Sequence, residues 1–131
     1  MIAVVTVYDE SARGERTNRL KLKLVSERVT VQELIERRIQ QEAERFNLER
    51  PVSYRSLVQP PEAQEVADGY RLLEHRDVDW QKQVEPALEA FRSNGLSVMV
   101  DNRPATSLDQ EVVITESTVV TFIKLMPLVG G

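Results

Sequence analysis

A chain that contains Thr-Val-Val-Thr-Phe-Ile-Lys-Leu, residues 118 to 125, has to build a sheet around it. β-Branched and aromatic side chains favour an extended backbone, and so apolar a run predicts a central strand covered on both faces. Ile2 to Tyr8 (Ile-Ala-Val-Val-Thr-Val-Tyr) predicts a second strand. Asp9 to Asn18 is polar and reads as a loop. Arg19 to Val25 then alternates, with Leu20, Leu22 and Leu24 on one side and Arg19, Lys21 and Lys23 on the other. That pattern predicts a half-buried antiparallel strand, hairpinned to the first, with its basic face in water.

Thr30-Val31-Gln32-Glu33 forms a capping box, in which each side chain can satisfy the other residue's amide. Val31, Leu34, Ile35, Ile39, Ala43 and Phe46 follow on one face of a helix that stops near Asn47, before Pro51. Glu33, Glu36, Glu42 and Glu44 read as helix-face carboxylates paired with Arg37, Arg38 and Arg45. Trp80, Val84, Leu88 and Phe91 predict a second helical segment stopped by Gly95. Pro86 inside it should kink it, start a new turn or shift its start towards Glu85. Trp80 and Phe91 read as a satellite core under an insert spanning about residues 59 to 95. Leu96 to Val100 reads as a strand, Asp101-Asn102-Arg103-Pro104 as a turn and Leu108 to Ile114 as a mixed connection. The expected fold is α+β, one domain over residues 1–131: a mixed sheet with one packed helix, a helical insertion and parallel terminal strands. A right-handed helical crossover between such strands is a β-grasp arrangement.

Charge and composition narrow the function. The chain has 131 residues, 41% hydrophobic and 29% charged, with a formal net charge of −4. Residues 59 to 95 hold eight acidic and four basic side chains, so this segment carries the whole imbalance. An acidic chain repels phosphate backbones, which argues against nucleic acid as a partner. Arg13, Arg16, Arg19, Lys21, Lys23 and Arg28 make the first loop and second strand locally basic, read as a solvated face or a contact for an acidic protein. With no cysteine there is no disulfide, thiolate nucleophile or cysteine metal site. No run approaches a membrane span, and Met1 leads directly into a strand without a signal-peptide pattern, so a cytoplasmic protein is expected. His75 is the only histidine and reads as a surface residue. The glycines at 14, 69 and 95 are isolated, so there is no phosphate-binding loop. No catalytic set and no metal site stand out, which argues against an enzyme.

The tail is less generic. The sequence ends Leu125-Met126-Pro127-Leu128-Val129-Gly130-Gly131, and from Ser117 onward only Lys124 is charged. Consecutive glycines lack a Cβ, so residues 126–131 are expected to form a narrow, flexible filament ending in a free carboxylate.

Pro127-Leu128-Val129-Gly130-Gly131, following Val119 to Met126 and the earlier Val98-Met99-Val100-Asp101-Asn102-Arg103-Pro104, resembles the ubiquitin-like β-grasp superfamily. The likeness is greatest to its prokaryotic branch, the molybdopterin and thiamin sulfur carriers and related small modifiers. Asn102-Arg103 stands where Gly-Arg is usual, and residues 59 to 95 have no counterpart in the minimal carriers. The resemblance implies that Gly131 supplies a carboxylate for adenylation by a ubiquitin-activating-type enzyme, which uses the ATP; no cofactor is bound by the chain itself. It implies that Gly130 gives passage through that enzyme's channel, while Pro127, Leu128 and Val129 form the tail that the partner binds. The implied outcome is conjugation to a target protein, with a conjugating enzyme and a deconjugating peptidase as further partners. The alternative is a Gly131 thiocarboxylate that delivers sulfur to an accepting enzyme for cofactor synthesis or tRNA thiolation. A β-grasp binding module with an incidental Gly-Gly end is a third reading.

Overall fold

A computed structural model describes residues 3–49, 53–54, 57, 63–66, 69–72 and 78–125 of the chain. The elements are β1 (Ala3–Glu10), β2 (Arg16–Leu24), β3 (Arg28–Thr30), α1 (Val31–Glu49), β4 (Ser53–Tyr54), β5 (Ala63–Val66) and β6 (Gly69–Leu72). They continue with α2 (Trp80–Arg92), β7 (Leu96–Val100), β8 (Arg103–Pro104), β9 (Glu111–Val113) and β10 (Val119–Lys124).

The main sheet has five strands in the order β2-β1-β10-β7-β8. β10 is central. It runs parallel to β1, from Thr6 opposite Val119 to Glu10 opposite Ile123, and antiparallel to β7. The β1–β2 hairpin extends further than its polar sequence suggests, because Asp9 and Glu10 also pair with Phe122 and Ile123 of β10. The remaining loop closes on Gly14, whose φ of 86° suits a residue without a Cβ. At the other hairpin, Asp101 and Asn102 both take positive φ, as a two-residue turn between twisted strands requires. Asp101 also accepts the Val119 N–H through Oδ1 at 2.9 Å, tying the turn to the start of β10.

The capping box forms as predicted. Glu33 N–H donates to Thr30 Oγ1 at 3.1 Å, and Thr30 N–H donates to Glu33 Oε1 at 3.3 Å. The free N–H groups of Val31 and Gln32 are taken by the carbonyls of Gln110 and Leu108. All six predicted core residues of α1 are buried. Val31, Leu34, Ile35 and Ile39 pack with Val5 and Val7 of β1, Leu22 and Leu24 of β2, Val98 of β7 and Val120 and Phe122 of β10.

Several expectations need correction. The segment 59 to 95 is not helical throughout: β5 and β6 pair antiparallel, and β4 completes a small sheet of order β4-β6-β5. Strands of two to four residues are too short for their period to stand out in sequence. Nor is α2 an appendage. It packs against α1, and Ala87, Leu88 and Ala90 join the main core, so two helices cover the sheet. Phe91 lies partly buried against that core, and Trp80 bridges it to a small cluster of Ala43, Phe46 and Val78. Pro86 sits inside α2, which starts at Trp80 with Asp79 as its cap, so the helix start does not move to Glu85. Within residues 108 to 114, β9 pairs with β3 and buries Val112. The two faces of β10 also differ. Val120 and Phe122 are fully buried against the helices. On the opposite face Thr121 is buried by neighbouring strands, while Val119 and Ile123 are only partly covered.

The largest departure is Arg38, which is completely buried on the apolar face of α1. Its guanidinium lies 4.8 Å from the Phe122 ring centroid and donates to both carboxylate oxygens of Asp9 and, through Nε, to Glu42. Glu42 also accepts the Leu57 N–H at 3.0 Å. The Arg38–Glu42 pairing at i, i+4 is as expected, but it is an interior pair. One cation and two carboxylates share this space, so full ionisation would bury a net negative charge. Burial pushes the Glu42 carboxyl above the usual glutamate range; Arg38 opposes the rise and the Asp9 charge adds to it. The folded state thus keeps this proton to a higher pH than the unfolded chain. The corresponding stability is complete below the unfolded value and is lost as pH rises through the folded one. The gap in urea midpoint between wild type and Glu42→Gln should therefore change across mildly acidic pH; a constant gap would rule out this titration.

Candidate functional site

The end of β10 is where the sheet gives up the chain. Lys124 pairs with Leu96, and the next residue, Leu125, donates its N–H to the Gly95 carbonyl at 2.9 Å. Gly95 is itself fixed by the end of α2. Asn94 takes φ 64° and donates to Phe91 O, while Gly95 N–H donates to Ala90 O at 2.7 Å. This is a Schellman ending with asparagine at the left-handed position. The sequence suggests Gly95 as the helix stop; in the structure Asn94 supplies the positive φ and Gly95 follows it. One residue thus closes α2 through its N–H and anchors Leu125 through its carbonyl.

A groove of about 550 Å³ opens beside this exit, with walls that include Leu125, Leu96, Phe91, Leu108, Asn94 and Asp109. Leu125 is 50% exposed, so the last described residue presents an apolar side chain at the groove mouth. Among the described residues that line the groove, the arginine is paired and the aspartate is hydrogen-bonded. Arg92 is tied to Glu85 at 2.9 Å and to Glu89 at 3.5 Å, and the Asp109 carboxylate accepts from the Ser107 hydroxyl. Such a surface suits an apolar segment better than an anionic ligand.

Pro127, Leu128, Val129, Gly130 and Gly131 lie outside the described residues, as do Met126 and His75. The structure therefore places the point from which the tail departs, not the tail. Gly95 and Leu125 are the parts of this exit that sequence reasoning missed as a pair, since nothing local joins positions thirty residues apart in the chain. Among the described residues no group of His, Cys, Asp and Glu could hold a metal ion. Among them, too, no helix is long and apolar enough to cross a membrane. No protein-family model, no curated protein and no solved structure matches the chain.

Proposed function

We propose that this is a ubiquitin-like modifier of β-grasp type, whose Gly131 carboxylate is adenylated by a ubiquitin-activating-type enzyme and transferred to a target protein. The observation that carries this reading is the strand order β2-β1-β10-β7-β8, with the last strand central and parallel to the first. That arrangement is compatible with a β-grasp, and it delivers the C-terminal segment from the middle of a rigid sheet. A partner that must take in a chain end gains from such a fixed base, because the strand that leads to it is already ordered before binding.

The chemistry belongs to the partner. A carboxylate is a poor acyl donor because its charge is delocalised and its leaving group is oxide. A Gly131 carboxylate oxygen attacks the α-phosphorus of ATP, pyrophosphate leaves, and the acyl-adenylate acquires AMP as a good leaving group. A target amine then attacks the carbonyl, releasing AMP, losing a proton and forming an amide. Glycine at 130 and 131 keeps the filament narrow where it threads to the nucleotide. Leu128 and Val129 can each contribute up to ~2 kcal/mol by burial on the enzyme. The close match of Pro127 to Gly131 with sulfur-carrier endings supports a second outcome, in which the adenylate becomes a thiocarboxylate.

Incubating the chain with its activating enzyme, ATP and cell extract should give higher-mass adducts that disappear when Gly131 is deleted. Intact mass of the chain from sulfur-replete cells separates the two outcomes, since a thiocarboxylate carries sulfur in place of one oxygen. If deleting Gly130 and Gly131 leaves cellular function unchanged, C-terminal activation is wrong and the chain is a binding module.

A further inference from the structure

The face of the sheet turned away from the helices carries an arrangement independent of the tail. Asp9 pairs with Asn18, but Glu10 pairs with Arg16, so Thr17 is an extra residue in β2. Arg16 and Arg19 are three apart, and in a regular strand they would point to opposite faces. The bulge turns Arg16 round, as such irregularities do where a side chain must be re-aimed. Both guanidinium groups now stand over the ring of Tyr8, Arg16 at 3.9 Å and Arg19 at 5.9 Å from its centroid. Lys21 and Lys23, opposite Thr6 and Val4, continue the same row.

All four cations are exposed, and none forms an ion pair among the described residues. The one carboxylate placed directly across from the row is Glu10, opposite Arg16; Asp9 faces the core and is held by Arg38. Two like charges converging on one ring repel each other, and an anion between them removes that repulsion. The ring fixes the guanidinium planes while leaving their N–H forks unspent for a bidentate carboxylate. Beside the cations lies apolar surface: Val4 is 49% exposed, and Val119 and Ile123 are partly so.

The outer edge of β2 is closed. Arg19 N–H donates to Asn18 Oδ1, and the Gln41 carboxamide takes the Lys21 carbonyl at 2.8 Å and the Lys23 N–H at 3.0 Å. Arg37 Nε takes the Lys23 carbonyl at 2.8 Å. A partner therefore cannot extend the sheet along Arg19 to Lys23 and has to lie across its face. We infer that the face of β1 and β2 docks a segment of a partner protein in which acidic residues alternate with apolar ones. Arg16 and Arg19 grip a carboxylate over Tyr8, and Lys21 and Lys23 extend the contact. A protein segment fits better than nucleic acid because the apolar strip needs covering and the chain as a whole carries −4.

The test is fluorescence anisotropy on the full chain with a labelled peptide of alternating Asp and Val, backed by amide NMR shifts. The peptide should bind, weaken with added salt and shift amides of β1 and β2 on this face. Replacing both Arg16→Gln and Arg19→Gln should weaken it about tenfold or more. Arg16→Lys with Arg19→Lys, which keeps charge but loses the fork, should fall between, and Tyr8→Phe should bind like wild type. Unchanged melting of these surface variants separates lost docking from lost folding. The inference is overturned if the peptide does not bind, if alternating Ser and Val binds equally well, or if the glutamine pair leaves affinity unchanged. Equal or tighter binding of oligothymidylate would likewise replace it with a general polyanion site.

Discussion

Asp9→Asn should lower the unfolding free energy by about 3–5 kcal/mol, the range for breaking a buried ion pair from one side. Arg38 is completely buried, and its Nη2 donates to Asp9 Oδ2 at 2.7 Å alongside the Nη1 contact to Oδ1. Asparagine keeps the shape but removes the charge, and its amide nitrogen points a donor at a group that has only donors. Glu42 would remain as the sole carboxylate, which the Arg38 guanidinium contacts through Nε alone. The same reasoning predicts that replacing all three together, Asp9→Leu, Arg38→Met and Glu42→Leu, recovers much of the loss, because no buried charge is left uncompensated. Urea denaturation of the two variants measures both effects. A single-variant loss below about 1 kcal/mol would mean that solvent reaches the guanidinium and that the pair behaves as a surface bridge.

Phe122→Ala should cost a comparable amount, about 3–5 kcal/mol, by opening a cavity in the middle of the sheet. The ring is fully buried, flanked in register by Asp9 on β1 and Val98 on β7 and covered by the Arg38 guanidinium. Strands held by ladders on both sides cannot close in, so the site relaxes little. Ile123→Ala, one residue on but facing the partly open side, should cost only about 1 kcal/mol. Combining Phe122→Ala with Asp9→Asn should give less than the sum of the two losses, because both remove support from the same Arg38. Additive losses in a double-mutant cycle would show that the ring and the carboxylate act on separate parts of the core.

What the sequence makes legible here are features decided within a few residues. The Leu20-Leu22-Leu24 alternation, the Thr30–Glu33 box and the β-branched run of β10 each carry their own signal and stand where they are predicted, while the turn read over Asp101-Asn102-Arg103-Pro104 closes on Asp101 and Asn102 alone and Arg103–Pro104 pair with β7. Short strands such as β3 and β9 have no such signal, since three residues hold too little periodicity and acquire a partner only when the chain closes. The chemistry proposed for the chain end is likewise written in adjacent residues, Pro127 to Gly131. Its anchorage is not, because the Gly95–Leu125 bond joins the end of a helix to the end of a strand far along the chain.

The fate of charged side chains separates the two levels most clearly. The sequence by itself determined the long strands, the two helical segments, the location of the acidic segment and the candidate reactive terminus. Only the tertiary structure decided that Arg38 is interior and that Arg16 and Arg19 meet over Tyr8. An arginine on an apolar helix face is tolerable only if a carboxylate arrives to neutralise it, and Asp9 comes from 29 residues away. A register shift of one residue, set by pairing with another strand, is enough to turn a side chain from one face of a sheet to the other. Neither the neutralising partner nor the register is encoded locally, so neither can be read until the strands are in place.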